Sequence, residues 1–430
     1  MDEKQLENLS KKDLIRLYIQ AVKQIARLER IVNEMNNNRR KELPYFVKPN
    51  IERKDPKKPG AKEGHEGTTR PMPDHVDEKK QVTLRRCRKG HKLKKIKETR
   101  KRTVEDIVIV RKTKTTEYKL QGYYCKKCKK KVFPQIFEAM PGFRLGMNFC
   151  NYVCERKFKY RMTFNLIQKD LEENFGLEVS QATLVNAIRA VSTLLGTQYE
   201  QYKKHLREGR FMHIDETGWR VAGTNLWLWK FKSEDTVVTV INWRRSHDVP
   251  EEIVGKKYKG TLIHDGFSAY NKLEGEHQQC WAHIGRHSKD ACKKYSKSQE
   301  AKKFHNALAR MYGQAKKSKK SKKTRKRFER RMKRLLGKRH RNPEVMKIKK
   351  FMTKHFDELF VFAEKRIDGT NNAAERAIRN DVVIRKISGG NRSSKGRQDY
   401  EVLSSVMQTC DLRDEKFSDV INKELSTAYG

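Results

Sequence analysis

At 430 residues the chain has room for about two to four domains, and 99 Lys plus Arg against 53 Asp plus Glu leave a formal charge of +46. No apolar run approaches the roughly 20 residues of a membrane helix, and the acidic, polar opening MDEKQLENLSKK is unlike a secretory signal. A surplus of positive charge this large points to a polyanion, with DNA or RNA as the default partner, because neutralising phosphates releases condensed counterions. Eight cysteines spread over positions 87 to 410 do not resemble a disulfide scaffold, and a single CxxC pair suggests metal in a reducing, cytoplasmic setting.

In chain order, Ser10-Lys11-Lys12-Asp13 reads as a capping box. Leu14, Tyr18, Ala21, Ile25, Leu28, Val32 and Met35 then form a short heptad seam, so 1–40 is expected to be a helical leader that dimerises or docks on its own protein. The stretch 41–77, with Pro56, Pro59, Gly60, Gly64, Gly67, Pro71 and Pro73, is a basic linker. Over 78–137 a zinc ribbon is expected. Cys87 and His91 form one knuckle, Cys125 and Cys128 the other, and strands at 104–110 and 115–124 bring them together. Three thiolates and one imidazole make a closed tetrahedral set, the structural kind of Zn2+ site.

Residues 146–209 read as helical. Ile167, Leu171 and Phe175 mark one apolar face, Gly176 to Val179 a turn, and Ser180 the cap of a second helix carrying Leu184, Ala187, Ile188 and Val191. This fits a helix-turn-helix, or any other helical hairpin. In the first case Gln181, Thr183, Asn186 and Arg189 face DNA. Cys150 and Cys154, one turn apart, are expected to be buried apolar side chains.

At Phe211 the pattern changes to strands. Phe211 to Ile214 ends at Asp215, then 226–231 and 236–240 complete a meander, 247–254 crosses over, and 261–264 runs into Asp265. If the fourth strand returns parallel beside the first, the two aspartates meet at the sheet in an α/β layout. Two adjacent carboxylates are costly without a cation, and hard oxygen ligands suit Mg2+. The segment GTNNAAERAIR supplies an asparagine cap, a helix start, and Glu375 one turn in, which with Arg376 and Arg379 reads either as a metal ligand beside phosphate clamps or, as composition alone favours, as an ordinary salt-bridged helix glutamate.

The blocks HIDETGW, LIHDGFSAY, CWAHIGRH, NNAAERAIR and IRKISGGNRSSKG resemble, in the same order, the signature blocks of DDE transposases of the insertion-sequence-sixty-six family. The resemblance implies a multidomain α/β protein with a ribonuclease-H-like core, preceded by a helical leader, a zinc segment and a helix-turn-helix. It carries the catalytic triad onto Asp215, Asp265 and Glu375. On this reading 210–279 is the first part of the core, 280–365 a basic helical insertion, and 366–430 the last part of the core with C-terminal helices. The first zinc knuckle departs from the family pattern, with Gly90-His91 where a second cysteine is usual.

Within the insertion, nearly every other residue from Lys316 to Arg341 is basic and Glu329 is the only acid. Such a run is a solvated helix face or, in a chain of this charge, a phosphate-binding one. Trp281, with Arg286 nearby, is either a stacking platform for an unpaired base or a core residue. Arg385 and Lys386 complete the DNA-contact candidates.

The expected chemistry is two-metal phosphoryl transfer, with Mg2+ or Mn2+ ions about 3.5–4 Å apart held by Asp215, Asp265 and Glu375. The enzyme cuts the ends of an element and joins them to target DNA, as a homodimer when assembled on double-stranded DNA. A nuclease that only hydrolyses, or a catalytically silent DNA-binding regulator, are the alternatives.

Overall fold

The computed structural model describes residues 113–127, 129–132, 139 and 143–429. The heptad seam, the linker, and Cys87, His91 and Cys128 lie outside the described residues, and of Cys125 only the backbone is described. Of the second knuckle, the backbone of Cys125 ends a short strand. β1 (Tyr123–Cys125) pairs antiparallel with β2 (Lys130–Val132), Cys125 opposite Lys130. The expected strand at 115–124 is present only at its end, and 113–122 have no regular structure. Alternating residues alone do not make a strand, and the described ladder begins at Tyr123.

Four helices follow. α1 (Met147–Cys154) runs on into a π-helical turn over Glu155–Lys159. α2 (Phe164–Phe175) starts at Thr163, whose hydroxyl accepts from the Leu166 N–H, and ends at Gly176 with φ of 62°, a conformation glycine adopts without a Cβ penalty. α3 (Gln181–Leu194) is capped by Ser180, whose Oγ accepts from Thr183 N at 3.2 Å, and α4 (Gly196–Glu208) leads to the sheet. Leu184, Ala187, Ile188 and Val191 are buried as the spacing predicts. So are Cys150 and Cys154, and burial pushes the Cys150 thiol up to about 12, leaving it an inert apolar group.

The central sheet has five strands in the order β5-β4-β3-β6-β7. β3 (Phe211–Val221), β4 (Thr224–Lys232) and β5 (Val237–Asn242) form the expected antiparallel meander. β3 does not stop at Asp215. It continues to Val221 because β4 offers a full ladder, with Asp215 opposite Lys230 and Val221 opposite Thr224. After α5 (Asp248–Val254), β6 (Thr261–His264) returns parallel to β3, His213 opposite Ile263. β7 (Glu276–Gln279) extends the parallel side. This mixed α/β arrangement is compatible with a ribonuclease-H-like core.

The stretch from β7 to the third carboxylate is helical: α6 (Trp281–Lys294), α7 (Gln299–Lys317), α8 (Lys322–Gly337), α9 (Pro343–Lys354) and the short α10 (Val361–Glu364). These helices enclose their own apolar cluster, including Phe304, Phe328, Met332, Met352 and Phe360, distinct from the cluster around the sheet.

α11 (Asn372–Ser388), α12 (Ser394–Arg413) and α13 (Phe417–Tyr429) complete the fold. α12 covers the edge strand β5 in an unusual way for a helix. Its Glu401, Ser405 and Thr409 accept from the N–H groups of Ile241, Thr239 and Val237 at 2.6, 2.9 and 3.0 Å. One polar helix stripe thus satisfies the donors that an edge strand otherwise presents to another chain.

Candidate active site

Asp215 lies within β3, Asp265 immediately follows β6, and Glu375 sits in the first turn of α11. The parallel pairing of β3 with β6 brings the two aspartates to adjacent strands, as the sequence pattern predicts. Burial holds the Asp215 carboxyl well above the usual carboxylate range, and the charges of Glu216, Asp265 and Glu375 push it the same way. The Glu216 N–H, donating to Asp215 Oδ1 at 3.0 Å, partly opposes this. Asp265 Oδ1 accepts from Phe267 N at 3.0 Å, which fixes the loop after β6.

Glu216 is a fourth acid that the sequence pattern does not single out, and it is already compensated. Its side chain is 3% exposed, pairs with Arg245 at 2.8 Å and accepts from the Tyr270 hydroxyl. Arg245 in turn lies over the rings of Trp227 and Phe267, 4.2 Å from each centroid. Among the described residues, Asp215, Asp265 and Glu375 form no ion pair this close. The nearest to Glu375 Oε1 are His283 Nε2 and Arg286 Nη2, both at 3.7 Å, too long for a hydrogen bond. Glu375 Oε1 and His283 Nδ1 are both buried without a hydrogen-bond partner.

Glu375 Oε1 is thus a hard oxygen without a hydrogen-bond partner, the kind of ligand a divalent cation takes. His283 joins this centre. Burial lowers its pKa while the charges of Asp265 and Glu375 raise it. Its spacing from Cys280 and His287 gives no complete ligand set, so its role is legible only once the helices are placed. A cavity of about 520 Å³ opens from Asp265 and His283 between α6 and α9, with Phe351 and Ile348 in its wall.

Among the described residues, the group whose possible ligand atoms lie within 4.8 Å of one another is His264, His277 and Glu358. Its ring nitrogens are already committed. Gly266 N–H donates to His264 Nδ1 at 3.1 Å, so the buried, neutral His264 carries its proton on Nε2 and donates to His277 Nδ1 at 2.7 Å. His277 Nε2 then donates to the Leu273 carbonyl at 2.9 Å. This relay braces the backbone one residue beyond Asp265.

The remaining candidates divide by exposure. Arg286, Arg376, Arg379 and Lys386 are exposed around α6 and α11. Arg385 donates to Thr217 Oγ1 and the Gly218 carbonyl, tying α11 to β3. Trp281 is 3% exposed, its indole N–H donates to the Leu359 carbonyl at 2.6 Å, and Tyr312 stacks on it. It is a core residue and offers no open face to a base. In α3, Gln181 and Asn186 are exposed, Thr183 closes the cap with Ser180, and Arg189 lies 3.7 Å from Asp399.

Residues 142–399 match the family model described as Transposase IS66 family. The chain belongs to that family. Membership makes it a transposase-type, DNA-processing enzyme and implies that it binds DNA. No curated protein matches the chain. No helix among the described residues is long and apolar enough to cross a membrane.

Proposed function

We propose that this IS66-family transposase cleaves the ends of an insertion sequence and joins them to target DNA at Asp215, Asp265 and Glu375. The observation that carries the reading is their placement, Asp215 in β3, Asp265 just after the parallel β6 and Glu375 in the first turn of α11, with Glu375 Oε1 buried and without a hydrogen-bond partner. When bound there, two magnesium or manganese ions supply activation of the attacking oxygen and stabilisation of the leaving one.

The chain's own groups do the rest. Asp215, Asp265 and Glu375 would hold the ions, and the ion pair with Arg245 would keep Glu216 from competing for them. Exposed Arg286, Arg376 and Arg379, with Lys386, meet the phosphates on either side of the reacting one. Gln181 and Asn186 on α3 face outward, where a recognition helix presents its base contacts. The basic face of α8, with Lys322, Lys326, Arg327, Arg330 and Lys333 exposed, positions DNA through its backbone. Cys87, His91, Cys125 and Cys128 are assigned to a structural Zn2+, and the protein acts as a dimer on two ends.

The test is to incubate the protein with a plasmid carrying the flanks of its own locus and Mg2+ or Mn2+, and to sequence every break and joint. Breaks at fixed ends, some joined to new sites, are expected for the wild type. Asp215→Asn, Asp265→Asn and Glu375→Gln should each abolish breaks and joints while binding DNA within about twofold of wild type. Cleavage surviving in Asp265→Asn overturns the assignment, and scattered cuts without joints favour a nuclease.

A further inference from the structure

We infer that Asn371, a residue that touches neither substrate nor any of the three acid side chains, is the positioning residue that sets Glu375 against Asp215. The inference rests on the triad assignment above. Asn371 stands at the start of α11 and its side chain makes no capping hydrogen bond, the role an asparagine there is expected to take. The side chain reaches sideways into the sheet instead.

β6 pairs with β3 only as far as His213 opposite Ile263. Beyond that point Asn371 takes over. Its Nδ2 donates to the Ile214 carbonyl at 2.7 Å, fixing the peptide that leads into Asp215. Since Nδ2 is the donor, Oδ1 accepts, and His213 Nδ1 donates to it at 3.2 Å. The Asn371 backbone closes two more links. Its N–H donates to Cys280 Sγ at 3.0 Å, next to the helix that carries His283, and its carbonyl accepts from the Glu375 N–H at 3.1 Å. The residue is fully buried.

One residue thus joins the strand of the first carboxylate, through its side chain, to the helix of the third and the entry to the helix between them, through its backbone. Further along, α11 is held independently by Arg385 on Thr217 and by a buried ion pair between Asp381 and Lys230 at 2.7 Å. Removing the Asn371 amide therefore loosens the first turn of α11, where Glu375 sits, while the rest of the helix stays docked. Loss of a group that orients metal ligands typically weakens metal binding about 10- to 100-fold.

The experiment measures Mn2+ binding directly, by electron paramagnetic resonance of free Mn2+, in wild type and Asn371→Ala, together with strand cleavage and thermal melting. A matched control is Asn391→Ala. Asn391 is another asparagine tie to β3, accepting from Trp219 Nε1 at 2.7 Å and donating to the Gly396 carbonyl at 3.0 Å, remote from the acids in its contacts. Asn371→Ala should weaken Mn2+ binding at least tenfold and raise the Mn2+ needed for cleavage in parallel. Asn391→Ala should melt earlier with Mn2+ affinity unchanged.

His213→Leu, which removes one of the two strand bonds of the amide, serves as a second probe should Asn371→Ala not fold. It should weaken Mn2+ binding a few-fold. Wild-type Mn2+ affinity in folded Asn371→Ala, an equal loss in Asn391→Ala, or unchanged affinity in His213→Leu overturns the inference. If wild type binds no Mn2+, or Asp215→Asn binds it equally well, the triad assignment itself has failed.

Discussion

The sheet and the helical segment between Asp265 and Glu375 are built on opposite principles. The helices α6 to α10 are held by narrow apolar stripes. In α8 only Thr324, Phe328, Met332 and Leu336 are buried, at four-residue spacing, and basic side chains occupy most of the rest. The sheet buries apolar residues too, but its registers are set by polar groups in its interior. Lys230 and Asp381 are completely buried and paired. Thr239 accepts from Lys230 at 2.6 Å, while Tyr400 and Ser404 donate to Asp381 at 2.8 and 2.9 Å. Apolar stripes tolerate sliding and leave the outer face open for charge. A saturated polar network permits one arrangement, which suits the three-carboxylate site proposed above.

That contrast can be broken most sharply at Lys230. Lys230→Met leaves Asp381 buried without its cation and should cost about 3–5 kcal/mol in denaturant titration. Lys230→Met combined with Asp381→Leu should recover most of that stability. If the single change costs no more than a surface substitution, the polar network is not what orders the sheet.

A middle-sized effect belongs to the helical segment. Replacing Lys322, Lys326, Arg330 and Lys333 with glutamine touches no buried residue of α8, so the melting temperature should hold. The slope of log affinity against log salt for duplex DNA should flatten by up to about 3.6, roughly 0.9 for each phosphate that is no longer neutralised. An unchanged slope would mean that this face is only solvated.

The smallest effect sits in the helices before the sheet. Burial pushes the Lys157 ammonium down to about 8, and it donates to Ser388 at 3.1 Å. Between that value and the ordinary 10.5 the unfolded chain binds more protons than the folded one. Stability from this group therefore rises with pH across that window, by about 1 kcal/mol from pH 8 to 9. Melts at stepped pH should show that rise in wild type and lose it in Lys157→Met.

Much of this was legible in the chain itself. The cap at Ser180, the buried stripe of α3, the meander, the parallel return of β6 and the placement of Asp215 and Asp265 all follow from local patterns whose period matches their element. Other features escape such patterns for identifiable reasons. β7 is Glu-His-Gln-Gln, with no apolar alternation, because Gln278 and Gln279 are buried by hydrogen bonding to Leu359, Phe362 and Glu358. Trp281 reads equally as platform or core until Tyr312 and Phe360 are seen against it.

The sequence by itself determined the charge and the helix and strand periods, since each is a property of composition or of neighbours along the chain. The tertiary structure alone decided that Glu216 is neutralised by Arg245, that His283 faces Glu375, that the polar stripe of α12 seals β5, and that Asn371 leaves its cap for the Ile214 carbonyl. Each of these joins groups far apart in the chain, and which polar groups the fold brings together is decided only when the elements pack.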